Sequence, residues 1–169
     1  MKNRKPGSVG YINLRQVHLG YLSKESTLAL LRSPIPEFPA DAVPATVAER
    51  IFARCGGQPF LTQLYGSLLV NHLNDGGRQQ VDPSDVTVVE DQVLEQASPY
   101  FRNITSRMPD DEAETVAEAL GVLQAGGSRH AVASLPTAAR DWLRQRGLIT
   151  RDGDPSTPVL GRWLEGMNS

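Results

Sequence analysis

The sequence predicts a mostly α-helical protein: a helical bundle followed by a smaller domain of helices with a short β-hairpin. Three observations carry that expectation. Apolar residues recur at helical spacing along most of the chain after Ser23. Capping and breaking residues punctuate these runs at short intervals. Only Tyr11–Leu22 alternates as a strand does, with Ile12, Leu14, Val17, Leu19 and Tyr21 set against polar neighbours.

Residues 1–10 are polar, with Pro6 and two glycines, and read as a loose arm. A strand over 11–22 cannot stand alone in water and calls for a partner sheet. Ser23 then reads as an N-cap with Glu25 in the first turn, and Leu28, Leu30 and Leu31 follow. Three prolines between Ser33 and Pro39 make the next stretch an extended loop. A second helix over Ala45–Cys55 carries Val47, Ala48, Ile51, Phe52 and Cys55 along one face.

That helix stops at Gly56-Gly57, either of which can take the left-handed conformation that closes a helix. Pro59 suits the first position of the next one, where its missing N–H costs nothing, and Gln58 becomes the N-cap. Two helices therefore meet at a tight corner. The start of the second carries partial positive charge, a natural place for a phosphate. By residue grammar alone this is a helix–turn–helix corner.

From Pro59 the stripe Phe60/Leu61, Leu64/Tyr65, Leu68/Leu69 and His72/Leu73 is broad, as in a central helix, and ends at Asn74-Asp75-Gly76-Gly77. Asp82-Pro83-x-Asp85 has the acids and proline of a helix start, followed by Val86, Val89, Val93, Leu94 and Ala97. Ser98-Pro99 reads as the cap of a further turn bearing Tyr100, Phe101 and Ile104. Asp111-x-x-Glu114 resembles a capping box ahead of Val116, Ala119, Leu120 and Leu123. Ser134-Leu135-Pro136 opens another helix, which runs to Gly147. Leu148–Arg151, the Asp152-Gly153 turn and Pro158–Leu160 complete a wing, shortened because Pro155 and Pro158 cannot donate to a ladder. The expected divisions are an arm and strand over 1–22, a helical bundle over 23–108 and a winged-helix-like domain over 109–169.

Composition narrows the function classes. A formal charge of −2 and 21% charged residues describe a globular protein rather than a dedicated nucleic-acid binder. A lone Cys55 cannot form an intramolecular disulfide and fits a reducing cytoplasm; no segment approaches the ~20 apolar residues of a membrane span. Basic residues near Met1 are not followed by an apolar signal core, so secretion is not expected. His18, His72 and His130 are scattered, with no metal-ligand spacing, and His72 reads as a histidine near a helix C-terminus that meets the last carbonyls. Asp110, Asp111, Glu112 and Glu114 are explained by the helix dipole, and Cys55 by burial on an apolar face. No Gly-x-x-x-x-Gly-Lys-Ser/Thr is present, so ATP hydrolysis by this chain alone is not expected.

The pattern Ala48-Glu49-Arg50-Ile51-x-x-x-Cys55-Gly56-Gly57-Gln58-Pro59-Phe60-Leu61-x-Gln63 resembles the lid helices of P-loop ATPases of the AAA+/STAND type, where a Gly-x-Pro turn closes over bound nucleotide. Upstream, Val17–Glu25 is similar to the last core strand and the linker into the lid; downstream the resemblance runs into the winged-helix-like segment. It covers most of the chain, through a short central motif. The resemblance implies a non-catalytic regulatory portion of such an ATPase, with Gly57, Gln58 and Pro59 near ATP or ADP held by a P-loop core in cis or in trans. A stand-alone winged-helix DNA-binding regulator is the alternative, with Arg140, Arg144 and Arg146 on the recognition helix over Ser134–Arg146, and Arg151 on the wing. Asp141, Asp152 and Asp154 dilute that positive stripe. A structural adaptor is the third reading.

Overall fold

Ser23 caps the first helix, α1 (Lys24–Arg32), by accepting the Ser26 N–H, as its position before an apolar run requires. The computed structural model describes residues 20–39, 41–106, 113–125, 128–150, 152–154 and 156–166; the expected arm and most of the expected strand over 11–22 lie outside them. Among the described residues the chain is mostly helical and forms no strand. After α1 come α2 (Ala45–Cys55) and α3 (Pro59–Asp75), which meet at the Gly56–Gln58 corner. α1 packs on both, and Val47, Ala48, Ile51, Leu61, Tyr65 and Leu69 fill the space between and beneath them.

The next stretch departs from its expected form. One helix beginning near Asp82 is replaced by a short α4 (Asp85–Val88) and a long α5 (Glu90–Ser106). Asp82 does not act as the cap. Its carboxylate accepts from Arg78 at 2.7 Å, while Asp85 reaches back to the Asp82 N–H at 2.8 Å. Pro99 does not begin a new turn either; it lies inside α5. An interior proline removes a helical hydrogen bond, and burial of Ala97 and Phe101 on either side holds the helix together across it.

Asp85 is the polar centre of this region. Its nearly buried carboxylate accepts from Arg78 Nη1 at 2.9 Å and faces His72 Nε2 at 3.3 Å. His72 therefore turns its ring to Asp85 rather than to the terminal carbonyls of α3. Burial alone would push the Asp85 carboxyl up, but Arg78 and the Asp82 N–H outweigh it and hold the pKa below the ordinary value. A depressed folded-state pKa contributes stability above the unfolded value of about 3.9, and loses it as pH falls from there through the folded-state value. Thermal melts of the parent are expected to drop steeply below about pH 4. Asp85→Asn should be less stable at pH 7, by about 1–3 kcal/mol, with a shallower acid limb.

Beyond α5 the chain builds α6 (Ala113–Gln124), α7 (Arg129–Ser134), α8 (Thr137–Gln145) and α9 (Pro158–Gly166). Asp110, Asp111 and Glu112 lie outside the described residues, and Glu114 stands exposed in the first turn of α6. The helix expected over Ser134–Arg146 begins only at Thr137; Ser134 instead closes α7, which Ser128 caps through the Ala131 N–H. α8 buries Ala139, Trp142 and Leu143.

Leu148 and Thr150 do make two ladder-like bonds across the Asp152-Gly153 turn: Ser156 N–H to Leu148 O at 2.9 Å, and Thr150 N–H to Asp154 O at 2.8 Å. The pairing stops there, and the expected second wing strand is a helix. Pro158 takes the first turn of α9 and Thr157 Oγ1 accepts from the Leu160 N–H at 3.1 Å. The proline that argues against a strand is thus a helix start. α9 buries Val159, Leu160, Trp163 and Leu164 against α2 and α5 as well as α6, so one apolar core continues from Leu31 to Leu164.

Candidate functional site

The Gly56–Pro59 corner forms as its residues dictate. Gly56 closes α2 at φ 58° and its N–H donates to Phe52 O; Gly57 follows at φ 77°. Gln58 is extended, and its Oε1 accepts from the Leu61 N–H at 2.6 Å, with Pro59 at the first helical position. The glutamine does a second job that its sequence position does not reveal. Its Nε2 donates to the Tyr100 hydroxyl on α5 at 2.8 Å. Burial pushes the Tyr100 pKa up, against the effect of that bond.

Distant segments cover the corner closely. Leu22 N–H donates to Gly57 O at 2.8 Å, and a Cβ built on Gly57 would lie 2.2 Å from Leu22 O. On the other side, a Cβ on Gly56 would lie 2.6 Å from Ser156 O. The Tyr21 hydroxyl donates to Gly147 O, and burial raises its pKa. Thus the segment before α1, the corner, and the turn before α9 share one contact. The space left among Tyr21, Gln58, Tyr100, Gly147 and Ser156 is about 10 Å³, scarcely one water's worth.

Of the three corner residues singled out, Gly57 and Gln58 are buried and only Pro59 is half-buried. The accessible neighbour is Phe60, whose ring lies 5.0 Å from that of Tyr100. The inner face of the corner is therefore protein-filled, and its outer face presents Pro59 and Phe60. Cys55 beneath it is fully buried and shares a hydrogen bond with Thr62 Oγ1 at 3.3 Å; burial pushes its thiol pKa up.

Each described arginine of the expected DNA-reading face has a partner within the chain. Arg140 donates to Thr137 Oγ1 at 3.1 Å, and Arg144 pairs with Asp141 at 3.1 Å. Arg146 donates to Ile104 O at 3.0 Å, with its guanidinium 4.9 Å from the Trp142 ring centre. Arg129 forms a two-pronged pair with Asp154. Arg151 lies outside the described residues. Among the described residues no cluster of metal-ligating side chains occurs, and no helix is long and apolar enough to cross a membrane.

Fold and site together define a mostly helical protein built around a covered Gly-Gly-Gln-Pro corner. Comparison with protein-family models, with curated proteins and with solved structures finds no match for this chain.

Proposed function

We propose that this chain is a non-catalytic coupling module, the lid and the helical regulatory portion that follows it in an AAA+/STAND-type P-loop ATPase. One observation supports it most. The corner that resembles the nucleotide-facing turn is held on one side by Leu22 and on the other by Ser156. A displacement of the segment entering α1 is thereby felt at the turn that leads into α9. Such a contact transmits a shift as a small rigid-body movement, because packed backbone cannot deform gradually. Nucleotide would be held mainly by the P-loop core and would meet the outer face of the corner at Pro59, with Gly57 and Gln58 acting from beneath. DNA is the alternative partner. The pairing of Arg140 and Arg144 with neighbouring side chains weakens that reading, since phosphate contacts would have to displace those partners.

In the complete native assembly, Pro59→Ala should reduce the nucleotide-dependent conformational response by about fivefold or more. Retention on duplex DNA across a salt series should be unchanged. The opposite pattern, with Arg140→Ala and Arg144→Ala together weakening DNA binding and flattening its salt slope, would favour the DNA reading. No effect from either set would leave an adaptor.

A further inference from the structure

We propose that Glu90 is a conformational lock that fixes the register of α9 against α2. Glu90 opens α5 and is only 2% exposed, yet its carboxylate is shared by two other helices. Oε2 accepts from Arg162 Nη1 on α9 at 2.7 Å, and Oε1 lies 3.4 Å from Arg54 Nη1 in the last turn of α2. Arg54 stands two residues before the corner. The lock thus joins the corner helix α2 to α9 through the first residue of α5, separately from the Leu22 and Ser156 contacts.

The Glu90 carboxylate is buried while Arg54 and Arg162 keep 32% and 43% of their side chains exposed, so its desolvation offsets much of the attraction. The best-attested role of such a group is to specify one arrangement among several. This one is also incompletely satisfied. Among the described residues Glu90 Oε1 has the Arg54 ion pair at 3.4 Å but no hydrogen bond, and the fully buried Tyr65 hydroxyl has no hydrogen-bond partner. Desolvation first, then the Glu90 charge, push the Tyr65 pKa up. A loosely paired oxygen and an unpaired hydroxyl make the locked arrangement less favourable than a fully paired network would be. The apolar face of α9, from Val159 to Leu164, offers continuous contact, and the Trp163 Nε1 donation to Ser98 Oγ ties it to α5. The Glu90 carboxylate adds the tie that reaches α2 as well. Glu90 acts in this way whether or not the corner serves a nucleotide.

The test is hydrogen exchange on the full chain, comparing the parent with Arg54→Met/Glu90→Leu/Arg162→Met, which replaces all three charges by apolar groups, and with Arg162→Gln, which releases the carboxylate from its solvent side. Under the proposal the triple variant melts no lower than the parent. Its α9 amides nevertheless exchange roughly tenfold faster or more, while those of α2, α3 and α5 keep their protection. Arg162→Gln shows the same local signature. Unchanged α9 protection in both variants would mean that packing alone sets the register, and would overturn the proposal. A loss of protection spread evenly over α2, α3, α5 and α9 would reduce Glu90 to a general structural residue, and would overturn it too.

Discussion

Gly57→Ala is expected to destabilise the chain by about 3 kcal/mol or more. Two penalties combine. At φ 77° any L side chain is strained, and the new Cβ would fall 2.2 Å from Leu22 O, a backbone atom tied to Gly57 by its own residue's N–H. Phe52 Cε2, 3.2 Å away, closes a second side. The segment entering α1 would have to leave the corner for the methyl group to fit. Gly76→Ala is the control: Gly76 has φ −86° and its nearest neighbour to a built Cβ is 3.4 Å away, so it should change stability by less than about 1 kcal/mol. Denaturant unfolding of both variants checks this. Equal effects would mean that Leu22 does not sit on the corner.

Trp163→Ala should cost about 3–5 kcal/mol. The indole lies 8% exposed with its ring centre 5.2 Å from that of Phe101, and its Nε1 donates to Ser98 Oγ at 3.1 Å. Removing it opens a cavity between α9 and α5 and leaves Ser98 without this donor. Trp142 remains as a fluorescent reporter, so chemical denaturation of the variant can be followed directly. A change below about 0.5 kcal/mol would place Trp163 on the surface and remove α9 from the core.

What the sequence allowed to be read follows a physical division. The corner was legible because Gly56, Gly57, Gln58 and Pro59 act within one turn of chain, through φ preference, a local cap and a missing N–H. Its covering was not. Leu22, Tyr100 and Ser156 come from distant segments, and nothing local in Gln58 announces that its second amide group meets a tyrosine on α5. The absent N–H of Pro158 argues against a strand but equally suits a helix start, and the buried run after it is short enough to fit either form. The arginines after Pro136 carried the charge of a DNA-reading helix. Their pairing depends on rotamers and on the C-terminal end of α5, which residue type alone does not report.

A coupling module of the proposed kind works with a P-loop core, in the same polypeptide or in a stable complex. Native mass spectrometry of the protein isolated with its stable partners, read beside the reading frame upstream of Met1, tests it most directly. The account predicts a species heavier than 18.4 kDa that contains Gly-x-x-x-x-Gly-Lys-Ser/Thr, whether joined in frame or bound. A native species of 18.4 kDa with no nucleotide-binding partner would contradict it, and the corner would then be a structural joint alone.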